Sequence, residues 1–341
     1  MKSAVLNVIA LALFAALSPQ LASAQEAERN ILAAGKGSTQ GLIAQDIANL
    51  GDRCGLPMNV GVSKGALESF FGVRNRHNTQ FGIVDSDLLT YLNSYKGENS
   101  DVREAVQGMR IMLPLFDAEV HVVAGPGINS LQDLRGKRVG VGEKDSTAFL
   151  TSQLMFDILR IQVAERATGT TDEMVELLRQ GEIDALIRVA GAPVQFLTDG
   201  RIDSSFHLVP ITDEVLRASY KPVSIPGGMY PFQKTAVQTV SVKTLLMTYE
   251  YGTGKNAYYN NACKAVSDFT SLIVDNIDEL RRTGHPKWKD VNLTEVPKGW
   301  EIGTCVRRGL DPNYKVSCTS TATGGAENKE YLDLLGQRLK K

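Results

Sequence analysis

Apolar runs closed by polar or glycine-rich turns, each followed by a helix-periodic stretch, recur through the first third of the chain. Residues 30–34 read as a short strand closed by Gly35-Lys36-Gly37-Ser38-Thr39, after which Leu42, Ile43, Ile47 and Leu50 share one helix face. Residues 58–62 read as a second strand ending in Ser63-Lys64-Gly65, followed by a helix through Phe70 and Phe71. Residues 81–84 form a third, closed by Asp85-Ser86-Asp87 and a helix over 88–95. Strand, polar turn and helix in repeated order predict a parallel sheet with helices on its faces. In each unit the small polar cluster sits at the carboxyl end of the strand, where open α/β sheets bind ligands.

The middle of the chain carries a second set. Residues 109–115 and 120–124 are apolar and β-rich, bracketing Phe116-Asp117-Ala118-Glu119; they read as one strand leaving a first lobe and another entering a second. In residues 130–149, Ser130 and Asp133 read as a helix-start cap and Gly136 ends that turn. Residues 138–141 then read as a buried strand broken at Gly142, and Ser146 and Thr147 cap an apolar helix over 148–160. Such a junction presents free N–H groups and the positive end of a helix dipole, a setting for a small anion. An amphipathic helix over 171–180 and a strand over 185–189 follow. Residues 220–230, with Pro222, Pro226, Gly227 and Gly228, are the expected return crossing, and 237–247 alternate as a strand rejoining the first lobe. A helix is expected over 258–282, little periodicity over 283–325, and a last helix over 326–339. The expected fold class is α/β with two lobes, each a mostly parallel sheet flanked by helices. Lobe 1 takes residues 28–118 and 231–341 and lobe 2 takes 119–230, with a ligand cleft between them.

Charge narrows the function. The 341 residues hold 37 basic and 38 acidic side chains, a balance that excludes the basic excess of a nucleic-acid binder. Residues 1–24 read as an export signal: Lys2 precedes an apolar run over 4–17 too short to span a bilayer comfortably, and Ala22-Ser23-Ala24 gives the cleavage pattern. A mature, periplasmic chain starting at Gln25 is expected, and with it an oxidising compartment for the four cysteines. Cys305 and Cys318 flank a turn-rich loop and are expected to pair, stabilising by roughly 3 kcal/mol; Cys54 with Cys263 follows by elimination, although the sequence alone leaves three connectivities open. The four histidines are scattered, so neither a metal nor a cofactor is expected.

Gly61-Val62-Ser63-Lys64-Gly65 matches the G-x-S-x-G nucleophile elbow, but His285 is the only late histidine and no strand precedes it. Gly35 to Thr39 lack the spacing of a phosphate loop. The small residues of both turns suit close approach to a ligand instead. Candidate ligand contacts are Gly37, Ser38 and Thr39; Ser63, Lys64 and Gly65; Asp85 and Ser86; Ser146 and Thr147; Arg188, Ala190 and Gly191; and Tyr230. Arg188 stands out because it interrupts an apolar strand just before its carboxyl end. There it serves either a ligand carboxylate or a salt bridge to an acid such as Asp85 or Glu143.

Several of these pieces, in this order, resemble the TAXI family of TRAP-transporter solute receptors, extracytoplasmic proteins of the type II periplasmic-binding fold. They are the turn over 35–41, residues 63–69, Val84-Asp85-Ser86-Asp87, Val120-His121-Val122-Val123, S-L-Q-D-L-R-G-K-R-V-G-V-G, Val189-Ala190-Gly191-Ala192-Pro193 and Ile225-Pro226-Gly227-Gly228-Met229-Tyr230. The sequence departs from that family at Glu143-Lys144-Asp145 and at Asp85. The resemblance implies a monomeric, non-enzymatic receptor for a small carboxylate such as glutamate or 2-oxoglutarate, delivering it to a TRAP-type membrane permease. A ligand-sensing partner of a membrane receptor and an exported enzyme using Ser63 are the alternatives.

Overall fold

The structure is a computed structural model that describes residues 28–252 and 254–318. The expected export signal and the helix over 326–339 lie outside the described residues. The repeating units form as expected: β1 (Asn30–Ala33), α1 (Thr39–Arg53), β2 (Asn59–Val62), α2 (Ala66–Asn75), β3 (Thr79–Asp85) and α3 (Leu88–Lys96). An unexpected helix, α4 (Ser100–Gly108), starts where the Asn99 side chain accepts the Asp101 and Val102 N–H groups.

Next comes β4 (Met109–Ala124), one continuous strand where the sequence suggested two. The acids at its middle do not break it because each has a cation. Asp117 meets Lys221 and Lys243, both at 2.6 Å, and Glu119 meets Lys287 at 2.6 Å, while Phe116 and Ala118 point into the core. A 3-10 turn (Leu131–Leu134) with the expected Ser130–Asp133 capping box leads to β5 (Arg138–Gly140), α5 (Thr147–Leu159), β6 (Glu165–Ala167), α6 (Thr171–Arg179), β7 (Ala185–Ala190), α7 (Gln195–Thr198), β8 (His207–Leu208) and α8 (Glu214–Ser219). The return crossing carries a strand, β9 (Lys221–Ile225), before β10 (Val237–Tyr249). The helix expected over 258–282 divides at Asn276 into α9 (Ala257–Asp275) and α10 (Ile277–Thr283), and α11 (Thr304–Gly309) is the last of the described helices.

The fold is mixed α/β. One ten-stranded sheet runs β2-β1-β3-β10-β4-β7-β5-β6, with β8 on β4 and β9 on β10. β1, β2 and β3 are parallel, as are β7, β5 and β6; the long β4 and β10 run antiparallel to their neighbours and pass through both groups. Burial explains the layers. Ile43, Ile47 and Phe269 pack with Ile31 and Phe81 on one face, and Phe70, Leu88 and Leu92 fill the other.

The cysteines are bridged, but not in the expected pairs. Cys263 joins Cys305 and Cys54 joins Cys318. The segment after Cys305 is helix rather than open loop, and α11 lies directly on α9: a Cβ on Gly309 would overlap the Ser267 carbonyl, and Ser267 Oγ donates to Cys305 O at 2.8 Å. That packing sets Cys305 against Cys263 and leaves Cys318 to reach the end of α1, which Cys54 caps.

Candidate cleft at the strand ends

A cleft of about 730 Å³ opens where β1, β2, β5, β6 and β7 end. Four helices begin at its walls. Ser38 Oγ accepts the Gly41 N–H at the start of α1, Ser146 Oγ accepts Phe149 N–H at α5, and Thr170 Oγ1 accepts Glu173 N–H at α6. α2 begins at Gly65 without a side-chain cap, its first turn closed by Glu68, which takes the Lys64 N–H at 2.6 Å. Gly65 must be glycine here: a Cβ would meet the Asp145 carbonyl oxygen at 2.5 Å. On that opposing wall Gly142 (φ +76°) and Asp145 (φ +66°) are both left-handed, which folds the loop tightly and turns Ser146 into the cleft.

Arg188 is the cation between these helix ends. It lines the cleft and is mostly buried, and its guanidinium has neither an ion pair nor a hydrogen bond among the described residues, Nε being fully buried. Burial pulls its pKa below the usual value, against the charges of Glu143 and Asp85. Neither acid is in contact, so of the two uses read from the sequence the salt bridge to Asp85 or Glu143 is not made. Arg201, also on the wall, is neutralised by Asp172 and by Asp199 at 2.9 Å.

Of the sequence candidates, Gly37, Ser38, Thr39, Ser63, Lys64, Gly65, Ser146, Thr147, Arg188, Ala190 and Gly191 all line this cleft. Three do not. Tyr230 is fully buried behind it: its hydroxyl accepts the Val194 N–H (3.1 Å) and bonds His121 Nε2 (2.8 Å). Because His121 Nδ1 faces the Glu119 carbonyl, Nδ1 carries the proton and Nε2 accepts from Tyr230. Burial pulls the His121 pKa down to about 4. Tyr230 therefore buttresses the wall residue Val194 from behind the sheet. Asp85 is 1% exposed, its carboxylate taken by Thr147 (2.5 Å), Thr244 (2.7 Å) and Gln40 (3.1 Å). Ser86 bonds the β10 backbone at Lys243 and the Trp300 indole. Ser63 Oγ bonds Ser69 Oγ at 2.8 Å and no histidine.

Sequence reasoning missed Gln40, Phe116, His285 and the Thr171–Asp172 wall. The Thr170–Glu173 capping box was the available signal for the last; His285 carries none, since it arrives from a region without periodicity. It comes with Lys287, whose ammonium bonds Glu119 Oε1 (2.6 Å) and Asp290 (3.1 Å), while Glu119 Oε2 accepts the Ala192 N–H at 2.7 Å. This bolt fixes the loop from Ala190 to the cis Pro193 at the cleft floor. Thr39 Oγ1 reaches the same loop at Gly191 O, 3.4 Å away. Among the described residues no group of three or more metal-ligating side chains is gathered, and no helix is long and apolar enough to cross a membrane.

A family model described as NMT1-like matches residues 31–301. Among solved structures, the chain is similar to PhnD1 from Prochlorococcus marinus in complex with methylphosphonate, at 12% identity over 93% of this chain and 99% of that one, TM-score 0.48. It is also similar to ArtJ, an arginine-, lysine-, histidine-binding protein from the thermophilic bacterium Geobacillus stearothermophilus, at 14% identity over 80% and 97%, TM-score 0.46. A third is Tv2483 bound to L-arginine, at 12% identity over 79% and 93%, TM-score 0.47.

Proposed function

The chain belongs to the NMT1-like family, and we propose that it is a periplasmic receptor that captures a small anionic solute in the cleft between two lobes. The lobes are residues 28–118 with 231–341 and residues 119–230, and β4 and β10 are the straps on which they close. The observation that carries the reading is the Arg188 guanidinium, set in the cleft wall with no anion among the described residues to neutralise it. A mostly buried cation without a partner is costly, and a ligand carboxylate or similar oxyanion supplies the bidentate partner for which a guanidinium is shaped. The starts of α1, α2, α5 and α6 add N–H groups and dipole ends of the same sign around it.

Glutamate and 2-oxoglutarate are the first solutes to test, and delivery to a TRAP-type permease is the partner that the ordered sequence pieces support. Binding without catalysis is the reading for Ser63, whose hydroxyl is engaged by Ser69 and lacks a base in contact. Native mass spectrometry of purified protein is expected to find a co-purifying anion. Calorimetric titration with that solute, beside a thermal melt, is expected to show Arg188→Ala weakening affinity by roughly 2–5 kcal/mol while the fold persists. Unchanged affinity with a lowered melting temperature would assign Arg188 to structure and remove it from the site.

A further inference from the structure

Two buried acids sit just behind the cleft wall, and neither has a cation in contact among the described residues. Asp85 ends β3 and Asp87 opens α3; they are 1% and 9% exposed. Their partners come from both sides. Thr147 and Thr151, one turn apart on α5, donate to Asp85 Oδ2 (2.5 Å) and Asp87 Oδ2 (2.8 Å), and the Tyr220 hydroxyl reaches Asp87 Oδ2 at 3.5 Å. From the other side Thr244 and Gln40 donate to Asp85. Every one of these donors is neutral. Residues 147, 151 and 220 lie in one proposed lobe, and 40, 85, 87 and 244 in the other.

We propose that Asp85 and Asp87 form a clasp between the lobes whose closure takes up a proton, so that the receptor closes more readily as the pH falls. The proposal rests on the two-lobed receptor reading above and describes the regulation of that site. Closing the clasp takes two neighbouring carboxylates out of water without a cation, and a single proton relieves both the burial and the repulsion. Burial, then the Asp85 charge, pushes the Asp87 carboxyl up to about 7, with Thr151, its own N–H and Tyr220 holding it back. Burial also raises Asp85, opposed by Thr147, Thr244, Gln40 and the Arg188 charge. Burial raises Tyr220 far above its usual value, so it remains a donor throughout.

The other charged groups around the clasp are Arg188 on β7, Glu143 and Asp145 before α5, Arg166 on β6 and Lys243 on β10. Arg166 lies over the Phe149 ring, and Lys243 is committed to Asp117 and Glu295. Tyr91 on α3 is raised, first by burial and then by Asp145.

Parting the lobes withdraws α5 and Tyr220 and returns Asp87 to water, where a carboxyl titrates near about 4. The closed form thus binds more protons than the open one. Above about pH 7 Asp87 is ionised in both forms and closure bears the full cost of burying it. Between about 7 and about 4 the closed-to-open ratio rises by up to about tenfold per pH unit, and below that it levels.

Small-angle scattering of the full chain without added solute, from pH 8 to pH 5, tests this. The radius of gyration is expected to fall as the pH drops through about 7. Asp87→Asn is expected to hold the compact value at every pH. Thr151→Val, which strips a donor from the ionised form, should move the midpoint up, and Asp85→Asn, which removes the like charge, should move it down. Should Asp87→Asn not fold, the opposite displacements of the other two variants decide the case. A radius flat from pH 8 to 5, or a midpoint that none of the variants moves, overturns the clasp. Failure of the solute reading is separate: no anion in native mass spectrometry leaves the scattering transition standing.

Discussion

Two cations border the loop at the cleft floor, and they are housed differently. Lys287, 7% exposed, is held behind the loop by Glu119 and Asp290; burial lowers its pKa, but the Glu119 charge and hydrogen bond and then Asp290 raise it above the usual value. Arg188 stands in front of the same loop with no anion in contact among the described residues, and burial lowers its pKa. One cation is spent on holding the protein together. The other has no such partner among the described residues. Geometry around the charge, rather than the charge itself, separates the two cations.

Cys263 and Cys305 enclose a 42-residue separation that contains Lys287. Replacing both by Ser should therefore cost about 4 kcal/mol by the chain-entropy estimate, read from urea unfolding midpoints. Lys287→Met leaves Glu119 without its cation and should cost about 3 kcal/mol in the same assay. The same replacement at Arg188 should go the other way, a gain of about 1 kcal/mol, because it removes a charge that no described residue pairs. A loss at Arg188 as large as at Lys287 would abolish the distinction. Ser38→Ala removes only the α1 cap, worth about 1 kcal/mol, and Lys64→Ala on the exposed rim should stay within about 0.5 kcal/mol.

The strand–turn–helix units were legible because each apolar run ends in residues with one strong local preference: Ser38 and Ser146 cap helices wherever they fall. Arg188 was legible because a guanidinium inside an apolar strand has few uses. Its two readings could not be separated, since whether an acid lies in contact depends on where Asp85 and Glu143 come to rest in space. Lys287 was invisible for the same reason: its partner Glu119 is 168 residues away, and nothing near either residue announces the other. The strands missed were short edge elements. β9 carries Pro222 and, among the described strands, pairs with β10 alone, a position that tolerates a missing N–H. The cysteine pairs were misassigned because proximity in sequence was weighed and the packing of α11 on α9 was not visible. Tyr230 was misplaced because a crossing near a cleft was read as facing it.

The strand order also dictates a timetable. β3 and β4 are not neighbours; β10 lies between them, antiparallel to both. As the chain is synthesised, the first half of the sheet emerges with a missing middle plank and two unpaired edges, and it stays so until Val237–Tyr249 arrives. The Thr244–Asp85 hydrogen bond that marks the closure spans 159 residues. Chains whose pairing is so distant fold slowly, and until β10 is made the facing edges of β3 and β4 are bare strand edges of the kind that pair with other chains.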